Sequence, residues 1–144
     1  MNELEKIEKH IAAGADEQLI LNCLQCCDVR FMDVVGNGYT NIVSFMIERG
    51  ADVHACGDVV LGLASQNGHV EVVKLLLAGG ADVHMDNDYA LRWASQNGHV
   101  EVVKVLLAAG ADVHATNDAA LRWSHHSGHS EVVKVLREWI ETHG

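Results

Sequence analysis

Apolar and polar positions recur with helical spacing in residues 88–117. The first predicted helix has Asp88 as its N-cap, because a carboxylate can accept hydrogen bonds from the free amides of a first turn. Asn97-Gly98 ends that helix, since both residues tolerate a positive φ. Glu101 begins a second helix, and Gly110 ends it. The apolar stripes that support the two helices are Leu91, Ala94 and Ser95 in the first, and Val102, Val103, Leu106 and Leu107 in the second.

This helix, turn, helix, loop pattern repeats every 30 residues. Residues 65–84 and 95–114 are identical at 18 of 20 positions. The motif Gly-His-x-Glu-Val-Val-Lys occurs at 68–74, 98–104 and 128–134, and Gly-Ala-Asp-Val-His occurs at 50–54, 80–84 and 110–114. A period between 20 and 50 residues is typical of stacked repeats, in which each unit is stable only against its neighbours.

The first 27 residues allow two interpretations. Gly14 and Glu17 match Gly68 and Glu71 at an offset of 54, which predicts that Gly14-Ala15-Asp16 is a helix-to-helix turn and that its likeness to the later Gly-Ala-Asp is accidental. The alternative is one long helix over 17–35, along which apolar residues also form a stripe. We prefer five helix pairs in a single domain. The expected units are about 1–27 as an N-terminal cap, 28–57, 58–87, 88–117, and 118–144 as a C-terminal cap.

Two units carry the pattern Gly-His-x-Glu-Val-Val-x-x-Leu-Leu-x-x-Gly-Ala-Asp-Val nearly intact, and a third carries it in part. This pattern resembles the ankyrin repeat family. The resemblance is good over residues 28–144 and weak over 1–27. It implies an all-α, ankyrin-type α-solenoid of about five helix-turn-helix units. The family's Thr-Pro-Leu-His-x-Ala-Ala is replaced by Tyr-Ala-Leu-Arg-Trp-Ala-Ser at 89–95, and the loop between units is three residues short. The shorter period resembles ankyrin-like arrays of large DNA viruses that infect amoebae, and it predicts blunted loops.

Composition narrows the classes of partner. The formal net charge of −10 over 144 residues argues against nucleic acid, because phosphate binding requires clustered Lys and Arg. No apolar run approaches the roughly 18 residues of a membrane span, and the charged N-terminus has no signal-peptide core. We therefore expect a monomer in the cytoplasm, or in the host cytoplasm if the chain is viral. The acidic surface favours a partner with a basic segment, although surplus acid also serves solubility alone.

Metal binding and catalysis receive little support from the sequence. Cys23, Cys26 and Cys27, with Cys56 and His54, offer zinc-type ligands, but a zinc site needs four converging ligands and a second paired motif is missing. Most histidines fall at repeat positions that predict hydrogen bonds in turns and at helix starts. His125 and His126, with His129, form a weaker metal candidate. A nucleophile with a positioned base is missing too, so we expect no enzyme, no cofactor and no metal.

The function that fits best is a non-catalytic protein-binding module. By resemblance, the partner binds the concave surface of the inner helices, here through Gln66, Asn67, Tyr89, Arg92, Gln96, Asn97, Arg122, His126 and Ser127. Trp93 and Trp123 are expected to pack in the core, and the two arginines to reach solvent or a neighbouring acid. The alternative is a structural or engineered scaffold array without a dedicated epitope, which near-identical central units favour. A metal-binding protein that uses His and Cys is a more distant alternative.

Overall fold

The computed structural model describes residues 2–26, 30–54 and 59–143. These residues form ten α-helices and no strand: α1 Glu3–Ala12, α2 Glu17–Cys26, α3 Phe31–Gly36, α4 Thr40–Glu48, α5 Val59–Gln66, α6 Val70–Ala78, α7 Met85–Gln96, α8 Val100–Ala108, α9 Ala115–His126 and α10 Ser130–His143. The predicted all-α ankyrin-type solenoid is confirmed. None of the helices in the described part of the chain is long and apolar enough to cross a membrane.

The helices stack in two layers. Helices α3, α5, α7 and α9 pack on one another in an inner layer, and α4, α6, α8 and α10 pack in an outer layer. The predicted stripes lie between the layers: Leu106 is fully buried and Leu107 is 1% exposed, while Leu91 and Ala94 are fully buried on the inner side. Each unit therefore covers the apolar face of the next, as a stacked repeat requires.

The repeated Gly-His pair joins consecutive units. The Nε2 of His99 donates to the carbonyl oxygen of Gln66 at 2.9 Å, and His69 donates in the same way to Gly36. Gly68 has a φ of 78°, and a Cβ added to it would lie 2.6 Å from Nδ1 of His99. Position 68 therefore requires glycine for two reasons: its backbone has a positive φ, and the His99 imidazole leaves no room for a Cβ. The prediction that these histidines make hydrogen bonds at helix starts is confirmed for His69 and His99.

The short loop between units forms a left-handed turn at the beginning of α7. Asp86, Asn87 and Asp88 have φ values of 51°, 54° and 57°, and residues 116–118 repeat the conformation in α9. Three consecutive left-handed residues cost roughly 1–2 kcal/mol each, so the turn needs support. Arg92 supplies it by donating Nε–H to the carbonyl of Asn87 at 2.9 Å and Nη2–H to that of Asp86 at 2.8 Å.

The predicted N-cap role of Asp88 is wrong. The Asp88 side chain is 6% exposed, and its Oδ1 accepts from the backbone N–H of Asp112 in the next unit at 2.9 Å. Asp88 has a left-handed backbone at φ 57°, whereas an N-cap residue typically has an extended one. Asp88 therefore joins two units instead of capping one helix.

Helix α1 packs on α4 and so belongs to the outer layer. At its beginning, the Asn2 amide donates to the Tyr39 hydroxyl, and further along the Glu8 carboxylate accepts from the backbone N–H groups of Asn41 and Ile42 at 2.8 and 2.9 Å. Beyond its end, Glu17 pairs with Arg49 at 2.8 Å. That hydrogen bond, together with the Arg49 charge, lowers the pKa of the Glu17 carboxyl.

Both earlier interpretations of the N-terminal region need correction. Asp16 Oδ1 accepts from the N–H two residues on at 2.9 Å, as Asp52, Asp82 and Asp112 do. Because α1 takes an outer-helix place, Gly14-Ala15-Asp16 follows an outer helix, and its likeness to the later Gly-Ala-Asp turns is not accidental. The single long helix over 17–35 is also wrong, since Arg30 has an extended backbone at φ −89° and ψ 140°.

Helix α10 presents charged side chains to water. Arg137, Glu138 and Glu141 of α10 are exposed, whereas Leu136 of the same helix is fully buried. Exposed charge on a terminal helix is typical of the end units of stacked repeats.

Candidate partner-binding surface

Three aromatic side chains form a row along the inner layer. The rings of Tyr89 and Trp93, on α7, have centroids 5.7 Å apart, and Trp93 meets Trp123 of α9 at 5.9 Å in an edge-on arrangement. All three are partly exposed, and none belongs to the buried hydrophobic core. The prediction that the tryptophans pack in the core is wrong, because the positions Trp93 and Trp123 lie on the open side of the inner helices. The row leaves apolar ring surface within reach of solvent.

Arg92 lies between two of these rings. Its guanidinium carbon is 6.0 Å from the Tyr89 centroid and 5.5 Å from that of Trp123. The same guanidinium closes the left-handed turn described above, and Arg122 does likewise with the carbonyls of Thr116 and Asn117 at 3.1 and 2.8 Å. We expected each arginine side chain to reach solvent or a neighbouring acid. That expectation did not include the hydrogen bonds that each arginine makes to the carbonyls of its own loop.

Polar residues at the C-terminal ends of α5 and α7 adjoin the aromatic row. The Tyr89 hydroxyl donates to Gln66 Oε1 at 3.1 Å. The exposed side chains of Asn67 and Asn97 donate to the carbonyls of Gly36 and Gln66, both at 3.0 Å. These two asparagines thus help to join units, a role that sequence reasoning did not assign.

The remaining predicted site residues occupy equivalent places further along the stack. Gln96 is partly buried at the end of α7, while His126 ends α9 and Ser127 follows it, both exposed. Since equivalent positions line up across stacked units, Gln66, Gln96 and His126 form a polar row beside the rings.

A recess opens beside the aromatic row, between α5 and the turn that precedes α7. The cavity measures about 160 Å³ and is lined by Val59, Leu61, Gly62, Asp82, Val83, Met85, Asp86, Tyr89 and Ala90. Gly62 is essential to this geometry, because a Cβ there would lie 2.6 Å from Cδ1 of Tyr89. The signal was present in the sequence: Gly62 occupies the position that carries Arg92 and Arg122 in the next two units.

Comparison with known families agrees with this architecture. A family model described as ankyrin repeats, in three copies, matches residues 10–87, 31–117 and 61–143. The chain belongs to the ankyrin repeat family. A search of curated proteins finds no match. Ankyrin repeats are generally protein–protein interaction modules, and the family is typically non-enzymatic.

Metal ligands do not assemble in the described part of this ankyrin array. Among residues 2–26, 30–54 and 59–143, no group of three or more His, Cys, Asp and Glu residues could hold an ion. His84 and His114 instead contact Asp88 and Asp118, with Nδ1–Oδ1 distances of 3.1 and 2.5 Å. The side chains of Cys23, Cys26, Cys27 and Cys56 lie outside the described residues.

Proposed function

We propose that this ankyrin array binds a protein partner through the inner layer, on the side that carries the aromatic row. The observation that carries the proposal is the partly exposed row of Tyr89, Trp93 and Trp123 beside the polar row of Gln66, Gln96 and His126. Large rings with polar neighbours are the side chains that most often dominate binding energy at interfaces. Ser127 extends the proposed surface at its C-terminal end.

Four of the proposed contact residues also make hydrogen bonds that stabilise the fold. Arg92 and Arg122 hold the loops, and Asn67 and Asn97 join units. In this proposal their exposed atoms meet the partner while their hydrogen bonds keep the surface in shape. Substituting them would disturb binding and stability together, so they are poor choices for a first test.

The charge of the chain favours a partner with a basic segment. The net charge of −10 would speed the encounter with such a segment and fix its orientation more than it would supply affinity. We propose the cytoplasm as the place of this encounter, and a monomer as the binding form. The 30-residue period also supports the proposed likeness to arrays of large viruses of amoebae.

The test is affinity capture with the intact chain, followed by affinity measurements on the captured partner. A variant with Gln96→Ala, Trp123→Ala and His126→Ala should lose capture while keeping its helical circular dichroism. A control with Glu101→Ala and Lys104→Ala, which changes an exposed outer-layer ion pair, should bind as the intact chain does. Undiminished binding by the folded triple variant would refute this surface.

The scaffold alternative has one observation in its favour. The identity of 18 of 20 positions between residues 65–84 and 95–114 leaves little variation for a tuned epitope in that segment. If the intact chain and the triple variant recover the same proteins, or none, the scaffold function is favoured instead.

A further inference from the structure

We propose that the recess between α5 and the turn before α7 receives the side chain of an arginine from the protein partner. The inference rests on the proposed binding function and specifies one contact of it. The recess is named here the Gly62 pocket, after the glycine at its floor.

The shape of the Gly62 pocket suits a long side chain with an apolar stem. Its volume of about 160 Å³ far exceeds the roughly 10–15 Å³ that one water molecule needs. Val59, Leu61 and the ring of Tyr89 provide apolar walls, and Val59 is 40% exposed beside it. An aliphatic stem laid along these walls would remove apolar surface from water.

The charge of the pocket suits a cation. Asp82 and Asp86 both line it, within a chain whose formal net charge is −10. Asp82 also accepts from the N–H of His84 at 2.9 Å, which fixes the position of its carboxylate. A guanidinium has a planar face for the Tyr89 ring and several N–H groups for two carboxylates, a combination that a lysine ammonium lacks.

The neighbouring units show why the pocket is open here. Gly62 and Val59 stand where the next unit has Arg92 and Tyr89. In that unit the chain's own guanidinium lies against two aromatic rings and binds backbone carbonyls. Unit 58–87 has glycine at this position, and the Tyr89 ring packs against it instead. The ring thereby forms one wall of the pocket beside the two carboxylates.

The experiment uses the full chain, labelled with ¹⁵N, and Nα-acetyl-arginine methylamide as the probe. Titration should shift the amide signals of residues 59–62, 82–86 and 89–90, with saturation. The citrulline analogue has the same shape without the charge and should leave these signals unchanged. The lysine analogue should bind more weakly than the arginine probe.

Two variants locate the charge. Asp86→Asn should weaken probe binding about two- to fivefold, as expected for an exposed charge pair, and asparagine accepts the positive φ at this position. Glu101→Gln removes the same charge from the outer layer and should leave probe binding unchanged. Both variants should keep the fold, because Asp86 and Glu101 are exposed.

Several outcomes would overturn the inference. Absence of shifts in residues 59–62 and 82–90, equal binding of citrulline, or tighter binding of lysine would each contradict an arginine pocket. Capture of a partner by the intact chain without probe binding would leave the proposed function standing and remove only this contact. Probe binding together with partner affinity that Asp86→Asn leaves unchanged would refute the pocket's part in partner binding.

Discussion

Units 58–87 and 88–117 differ only in selected places. From 65–84 to 95–114 they are almost the same, whereas residues 59–64 and 89–94 differ at four of six positions. The shared part contains the outer helix and the contacts that join units, such as His99 to Gln66. The part that differs forms the Gly62 pocket in one unit and the Arg92 contacts in the next. Contacts that every interface needs are repeated, while the surface of each unit is set by a few residues at the start of its inner helix.

The largest expected effect comes from breaking the shared part. Leu106→Ala removes a fully buried side chain of α8 and should lower the free energy of unfolding by about 2–5 kcal/mol. Chemical denaturation measures the loss. Hydrogen exchange should rise in α6 and α10 as well as in residues 88–117, because each outer helix packs on its neighbours. A rise confined to 88–117 would contradict a coupled array.

A smaller effect is expected where the two units differ. Gly62→Ala places a Cβ 2.6 Å from Cδ1 of Tyr89, and such overpacking costs about 1–3 kcal/mol. Alanine in a helix recovers up to about 1 kcal/mol, so a modest net destabilisation is expected. In a Tyr89→Ala background the same change should stabilise the protein by about 0.5–1 kcal/mol. A double-mutant cycle gives the change in the free energy of unfolding that Gly62→Ala causes with and without the Tyr89 ring. The same change in the two backgrounds would show that the ring and the glycine do not interact.

The smallest expected effect comes from comparing Asn97, in a central unit, with the equivalent Ser127 in the last unit. Asn97→Ala removes the hydrogen bond to the Gln66 carbonyl and should cost about 0.5–1.5 kcal/mol. Ser127 holds the equivalent position in the last unit and is exposed, so Ser127→Ala should change the thermal midpoint little. If Ser127→Ala lowered the stability as much as Asn97→Ala does, the claim that the asparagine side chain joins the units would be contradicted.

The sequence predicted the regular part of the fold well. Helical spacing and the 30-residue period are local signals, and Val102, Val103, Leu106 and Leu107 are buried as expected. The left-handed turn was missed because its support comes from Arg92, whose carbonyl partners lie five and six residues away. Asp and Asn at 86–88 were the available signal, since these residues tolerate positive φ better than others.

The N-terminal region shows where pattern matching alone fails. A constant offset of 54 residues related Gly14 to Gly68. The position of α1 depends instead on contacts with α4 and its C-terminal end: Glu8 accepts from the backbone of Asn41, and Glu17 pairs with Arg49. These contacts join residues more than 30 positions apart. The spacing of apolar residues within α1 therefore does not predict them. For the candidate site, Tyr89 and the polar row were selected from the sequence, and their contact with a partner stays a prediction. The exposure of the two tryptophans was missed, because it depends on how the inner helices pack on one another.

The central claim is that the inner layer meets the partner while the outer layer holds the array together. Hydroxyl-radical footprinting tests it most directly, because Tyr and Trp side chains report their own exposure. In complex with the captured partner, oxidation of Tyr89, Trp93 and Trp123 should fall, while that of Trp139, on the outer-layer helix α10, should stay unchanged. Protection of Trp139 with undiminished oxidation of the three inner-layer rings would contradict the account.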